Sequence, residues 1–199
     1  MTDLPAKPSP TDLRARIVAE LARRLGGAVR SVAAHGGSFD EQELKRYALE
    51  APAVRVVLVG MGRVGRYGTG EMIAPLHFAA VCVARDEAKP GVGVLNKDAA
   101  CAALAASVSL IVDANRWGWG ATPEGPGMVG APLDLEARNE YSGSLDNKGV
   151  ALWQVTWSHE LRLGIDRNEA LAALSQLFVN SEPFVGGADP VAHPAEPAP

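Results

Sequence analysis

Three glycines that follow an apolar run are the residues best placed to carry chemistry. Residues 54–66 read Val-Arg-Val-Val-Leu-Val-Gly-Met-Gly-Arg-Val-Gly-Arg, so Gly60, Gly62 and Gly65 match the G-x-G-x-x-G turn of dinucleotide-binding domains. That turn needs a helix starting at the third glycine, because free backbone N–H groups and the helix dipole hold the pyrophosphate. Two more glycines and Pro75 follow instead, and all three disfavour a helix interior. We interpret the segment as a glycine-rich connection between two strands and keep a dinucleotide-binding domain as an alternative.

The histidines offer no second catalytic or metal site. None of His35, His77, His159 and His193 has a further ligand at metal-binding spacing on the same element. Those within strands, His77 and His159, are expected to be hydrogen-bonded packing residues. Ser158-His159-Glu160 has the letters of a hydrolytic triad, but consecutive strand residues point to opposite faces and cannot converge. The sequence therefore predicts no catalytic residue, no metal and no cofactor, and we expect a protein that is not an enzyme.

Composition excludes several other classes of function. The 199 residues are 47% hydrophobic and 21% charged, which is typical of a globular protein long enough for a substantial core. A net charge of −4 gives no electrostatic case for nucleic acid, and no apolar run is long enough to span a membrane. Cys82 and Cys101 lie in apolar surroundings and are expected to be buried free thiols in a reducing cytoplasm.

Hydrophobic periodicity indicates the elements that would position such residues. Ser9, Pro10 and Asp12 form a helix-start signature, and apolar residues then recur every four positions as far as Leu25. A capping box at residues 38–41 predicts a short helix to about Leu49, and a further helix is expected from Asp166. We expect a flexible lead at residues 1–9, one α/β domain at 10–182 and a disordered Pro/Ala-rich tail at 183–199. The predicted strands are Val54–Val59, Leu76–Val83, Leu133–Ala137 and Ala151–Leu163.

One predicted helix is expected to be extensively buried, and one predicted strand is expected to reach beyond its own domain. The segment at about 98–116 is apolar almost all round, which predicts a helix on one sheet face that is buried on more than one side. Alternation over residues 151–163 predicts a strand of about 40 Å, which is long enough to project from the domain. Four tryptophans accompany these elements, and they are either core residues or contacts with another subunit: Trp117, Trp119, Trp153 and Trp157.

The order of the elements resembles a known family. An amphipathic helix is followed by Gly-Ser-Phe-Asp-Glu-Gln-Glu-Leu at residues 37–44 and by Ala-Pro-Ala-Val-Arg-Val at 51–56, which leads into a strand. A long apolar helix then ends in Trp117, and a late strand contains Leu-Trp-Gln-Val-Thr-Trp at 152–157. Over residues 10–180 this arrangement is similar to the Mu-like prophage tail completion proteins, which are related to the tail terminators of long-tailed phages.

The resemblance implies both a fold and an assembly. The implied fold is α/β (α+β), a mixed and mostly antiparallel sheet with helices on one side. The implied function is that of a structural virion protein, a ring, most simply a hexamer, that caps the tail tube and joins it to the neck. Its partners would be further copies of itself, the tail tube protein and neck or head–tail connector proteins. It would be located in the virion tail, after assembly in the host cytoplasm.

Terminators and head–tail connectors both form rings, so a connector remains the alternative function. Residues 60–70 match nothing in the family and form either a loop at the ring opening or tube, or a plain surface loop. The candidate contact residues with other subunits or the tube are Arg63, Arg66, Tyr67, Trp117, Trp119, Trp153 and Trp157.

Overall fold

The structure of the protein, a computed structural model, describes residues 9–37, 49–67, 71–89, 93–123, 127–140 and 149–163. In chain order the helices and strands are α1 (Pro10–Leu25), β1 (Ser31–His35), β2 (Ala53–Met61), β3 (Gly65–Arg66), β4 (Met72–Arg85), β5 (Glu87–Lys89), β6 (Gly93–Leu95), α2 (Lys97–Asp113), β7 (Val129–Asn139) and β8 (Val150–Leu163).

Helix α1 begins where its sequence signature predicts. The Ser9 hydroxyl accepts a hydrogen bond from the Asp12 backbone N–H at 3.1 Å, and the Asp12 carboxylate accepts from the Ser9 backbone N–H at 3.0 Å. This reciprocal pair satisfies two of the N–H groups that a helix start leaves unbonded. Leu13, Ile17 and Leu21 are fully buried along one stripe, which confirms that α1 packs on the core through its apolar face.

The main sheet is mixed and mostly antiparallel, so the predicted fold class is confirmed. Its strand order is β1-β2-β4-β8-β7, and β3 pairs with β4. Strand β1 runs parallel to β2, whereas the other neighbours are antiparallel. Strands β5 and β6 form a separate two-stranded hairpin. Both helices pack against the main sheet, and alternate residues of β2, β4 and β8 join them in one hydrophobic core.

The length of β8 is accommodated inside the sheet, so the prediction of a projecting strand is wrong. Strand β8 pairs with β4 over fourteen consecutive residues, from Met72 opposite Leu163 to Arg85 opposite Val150. On its other side β8 pairs with β7. Within β4, Pro75 lies where pairing with β2 gives way to pairing with β3, and there its carbonyl accepts from the Gly62 N–H at 2.8 Å. A proline fits this gap because it has no N–H to donate.

Helix α2 is buried on one side only, which corrects the sequence interpretation. Asn96 caps its start by accepting from the Asp98 and Ala99 N–H groups, and the helix ends at Asp113 rather than at residue 116. Cys101, Leu104 and Val108 face the core, but Leu110 is 74% exposed. An apolar helix sequence therefore does not imply cover on several sides within one chain.

Strand β7 is longer and less regular than predicted. It begins at Val129 rather than Leu133, and its pairing with β8 shifts register twice, between Val129 and Pro132 and between Leu133 and Glu136. These irregularities break the expected alternation, so Leu133 is 48% exposed instead of facing the core.

Several predicted segments lie outside the described residues. They are the N-terminal lead except Ser9, the helix at 38–49 except its last residue, the helix from Asp166 and the tail at 183–199. The predicted single domain at 10–182 is described only in part. Within the described part, no helix has the length and apolar character needed to cross a membrane.

Candidate interaction surface

The glycine motif builds an exposed tip at one end of the sheet. We define the tip as residues 59–67, which comprise the end of β2, a connecting loop and β3. The β2 ladder shifts register between Leu58 and Gly60, and such a bulge bends the strand. Beyond the bulge, Gly62 lies so close to Pro75 that an added Cβ would be 2.7 Å from the proline Cγ. A glycine at this position is therefore what allows the loop to close onto β4.

The tip presents apolar side chains to solvent. Val59 is 62% exposed, Met61 53%, Val64 38% and Tyr67 40%. Among the described residues, seven large hydrophobic side chains are exposed, and four of them lie in these nine positions. Large exposed apolar patches mark interaction sites in soluble proteins, and these four exposed side chains lie within one short segment. The tip is therefore the best candidate for a contact surface in the described part of the chain.

Positive charge accompanies the apolar side chains. Arg63 and Arg66 are exposed on the tip, as expected for candidate contact residues. At its base, the Tyr67 N–H donates to the Glu71 carbonyl at 2.9 Å, and the Arg162 guanidinium lies 5.2 Å from the centre of the Tyr67 ring. Arg162 also pairs with the Glu71 carboxylate at 3.4 Å. These contacts tie the base of the tip to β8, so the tip is positioned by the sheet.

The geometry of the tip differs from that of a dinucleotide-binding turn. Gly60 belongs to β2, and Gly65 opens the short strand β3, which pairs with Ile73 and Met72. Pyrophosphate recognition uses the N–H groups of a helix N-terminus immediately after the third glycine. A strand occupies that position here, so these glycines form a strand-to-strand connection, as the sequence predicts.

Two of the four candidate tryptophans are not available to a partner. Trp117 is 3% exposed and Trp157 is 2% exposed, so both belong to the core. Trp119 and Trp153 are half-buried and pack against the same core. Arg16 of α1 covers Trp119, with its guanidinium carbon 4.3 Å from the ring centre. Trp117 and Trp157 are therefore removed from the candidate contact residues. For these two, the alternative prediction of core residues is correct.

A buried histidine organises the loop that follows α2. His159 is fully buried, and its Nε2 accepts a hydrogen bond from Trp117 Nε1 at 2.7 Å. Because the indole can only donate, the ring proton is on His159 Nδ1, which lies 3.1 Å from the Gly130 carbonyl. Burial lowers the pKa of His159 to about 4, assisted by the charge of Arg116 and opposed by the bond to Gly130. His159 is thus a neutral packing residue, as predicted.

The remaining candidates for chemistry are dispersed. Ser158 lies opposite His77 and His159 opposite Leu76, so consecutive β8 residues face opposite sides of the sheet and form no triad. His77 is exposed, which corrects its prediction as a packing residue, and His193 lies outside the described residues. No group of three or more metal-ligating side chains comes together among the described residues.

The two cysteines are buried free thiols, as the sequence predicts. The Cys101 thiol donates to the Cys82 carbonyl at 3.2 Å. Burial raises the pKa of the Cys101 thiol to about 11 and that of Cys82 still further. Both are therefore protonated at neutral pH and are unreactive as nucleophiles.

No model of a known protein family matches the chain, and no curated protein matches it with significant similarity. The site must therefore be interpreted from its own geometry. On that geometry, sequence reasoning identified the charged residues and Tyr67 of the tip but missed Val59, Met61 and Val64. The available signal was that each of them is next to a glycine, since Val59 and Met61 flank Gly60 and Val64 precedes Gly65, and glycine neighbours provide no side chain to cover them.

Proposed function

We propose that this protein is a tail terminator or tail completion protein of a long-tailed phage. In this proposal identical subunits assemble into a ring, most simply a hexamer, that caps the tail tube and joins it to the neck. The resemblance in element order motivates the proposal, and a mostly antiparallel sheet with helices packed against it is the fold that the resemblance implies.

The observation that carries the proposal is the exposed tip. A capping protein needs a surface that is apolar enough to bind another protein but held in a fixed position by its own domain. The tip has both properties, because Val59 and Met61 are more than half exposed while Gly62 and Tyr67 are hydrogen-bonded to β4 and to the segment before it. In the proposal the tip contacts the tail tube, and Arg63 and Arg66 contribute charge to that contact.

The decisive experiment is electron microscopy of purified tail tubes mixed with the protein. We expect density at one tube end and an arrest of further tube growth. In a phage that lacks the protein, tails should have abnormal lengths. Binding to portal or capsid but not to tubes would identify a head–tail connector, and tubes without added density together with normal tail lengths would refute the terminator proposal.

A pair of variants tests the role of the tip. Met61→Ser with Val64→Ser removes exposed apolar side chains from the tip, and the control Leu110→Ser removes a still more exposed apolar side chain from α2. We expect the tip variant to lose tube binding and the α2 variant to retain it, with both proteins folded. Equal binding by the two variants would show that the tip is not the tube contact.

A further inference from the structure

The outer edge of β2, on the side where β1 lies, is open near the tip. Strand β1 pairs with β2 only as far as Val57, opposite His35, whereas β4 pairs with β2 up to Met61. Within the described part of the chain, no backbone group pairs with the outer edge of residues 58–61. An open edge presents N–H and C=O groups to which an extended segment of another protein can add as a further strand.

An apolar groove lies next to this open edge. Its floor contains Val57, Ala79 and Val81, whose neighbours along β2 and β4 belong to the core beneath the helices, so the groove is on the opposite sheet face. Gly36 and Val59 also line it, and both are exposed. The volume of the groove is about 420 Å³. We call it the edge groove, and through Val59 it is continuous with the tip.

The lining of the edge groove selects an uncharged, extended occupant. The described residues that line it carry no charge, so a charged side chain would lose hydration there without gaining a partner. Gln154 of β8 lines the groove, and its side-chain amide makes no hydrogen bond within the described residues. An amide both donates and accepts, which suits a peptide group. An apolar side chain can therefore enter the groove while its backbone bonds to the edge.

The position of the edge groove favours the tail tube subunit as the source of this segment. Val59 belongs to both the groove and the tip, so a protein that is bound at the tip lies directly beside the groove. The open edge at residues 58–61 corresponds to roughly 13 Å of strand, and β1 closes one end of it. A space of this length fits a short loop or arm better than the long edge of a folded sheet.

We propose that a short extended segment of the tail tube subunit adds to β2 at residues 58–61 and inserts an apolar side chain into the edge groove. This inference rests on the proposed function and specifies how the tip holds the tube. In strand addition of this kind, main-chain hydrogen bonds supply affinity and a side-chain pocket supplies specificity.

Obstructing the groove tests the proposal on the full chain. Gly36 and Gly27 are a matched pair, because both are exposed, neither has a positive φ, and nothing lies within 4 Å of a Cβ added to either. Gly36→Trp obstructs the edge groove, and Gly27→Trp obstructs a separate groove between α1 and α2. The probes are overlapping short peptides that cover the tail tube subunit, labelled for fluorescence anisotropy. We expect a peptide that binds the wild type and Gly27→Trp but binds Gly36→Trp about tenfold or more weakly.

Hydrogen exchange distinguishes strand addition from a contact made by side chains alone. The bound peptide should slow amide exchange within residues 58–61, because N–H groups that face the open edge become hydrogen-bonded. A bound peptide that leaves exchange at these residues unchanged would overturn the inference, as would the absence of any binding peptide.

The remaining outcomes separate this inference from the proposed function. Groove-dependent peptide binding without capping of intact tubes would keep the inference and refute the proposed function. Tube capping that is equally strong in Gly36→Trp would keep the proposed function and refute the inference. A large fall in melting temperature in Gly36→Trp but not in Gly27→Trp would show that the protein's own chain fills the groove. Self-association that only Gly36→Trp abolishes would assign the groove to a second copy, and either result would overturn the inference.

Discussion

The loop after α2 and the tip both contain large apolar side chains between glycines, but these side chains are buried in the loop and exposed in the tip. In the first, Trp117 is 3% exposed and its indole N–H is bonded to His159. In the second, Met61 lies between two glycines and is 53% exposed. The difference is the opposing layer, since α1 and β8 cover Trp117, whereas no described element covers the tip. An aromatic in a glycine frame is therefore not by itself evidence of an interface.

The strongest test of this contrast is Trp117→Ala. Removing the ring should lower the free energy of unfolding by about 3–5 kcal/mol, because it opens a cavity and leaves His159 Nε2 without its donor. Urea denaturation measures the loss. Trp117→Phe keeps most of the ring volume and should cost less. A loss under about 1 kcal/mol for Trp117→Ala would contradict the assignment of this residue to the core.

The buried histidine predicts a loss of stability in acid. The folded-state pKa of His159 is about 4, below the ordinary value of 6.5, so the unfolded chain binds the proton more readily. The stabilisation is complete above pH 6.5 and is lost as the pH falls towards 4, by about 3 kcal/mol in total. Urea denaturation between pH 7 and 4 measures this slope. In His159→Gln the histidine contribution to the slope should disappear, and an unchanged slope would show that other groups cause it.

The glycines of the tip provide a matched pair of substitutions. An alanine Cβ at Gly62 would be 2.7 Å from Pro75 Cγ and 3.1 Å from His77 Nε2, whereas nothing lies within 4 Å of a Cβ at Gly60. We expect Gly62→Ala to cost about 1–3 kcal/mol through overpacking and Gly60→Ala to be close to neutral. Thermal melting distinguishes them. Equal effects would mean that the loop does not close onto β4 as described.

The smallest expected effect is on the stability of the tip variant. Met61→Ser with Val64→Ser should change the free energy of unfolding by less than about 1 kcal/mol, since Met61 is 53% and Val64 38% exposed and neither belongs to the buried core. Urea denaturation, as for Trp117→Ala, measures this change, so that the losses of stability in the two variants can be compared. A loss of several kcal/mol would mean that these side chains support the fold, and the contrast between the two regions would fail.

Local signals predicted the elements well, and long-range pairing explains what they missed. The Ser9 and Asp12 signature located the start of α1, and alternation located β8 to within one residue, because both depend on neighbours in sequence. Whether β8 is paired along its whole length depends on β4, which is equally long but begins 78 residues earlier in the chain. The periodicity of residues 151–163 could not show that β8 is paired along its full length.

In the candidate site, too, features set by neighbouring residues were predictable and features set by distant residues were not. Exposure of Arg63, Arg66 and Tyr67 was predictable from a polar, glycine-rich segment. Burial of Trp117 was not, because it requires a donor–acceptor pair with His159, forty-two residues away. The register shifts in β7 could not be predicted either, since they are a property of its pairing with β8 and not of the sequence of β7 alone.

The unbroken ladder between β4 and β8 has a mechanical consequence. Its first pair, Met72 with Leu163, lies next to the base of the tip, and its last pair, Arg85 with Val150, lies at the far end of the sheet. A pull on the tip along the strands therefore loads the hydrogen bonds of the ladder in shear, all together, instead of opening them one after another. The domain should resist tension applied at the tip far better than tension applied across the sheet at β7.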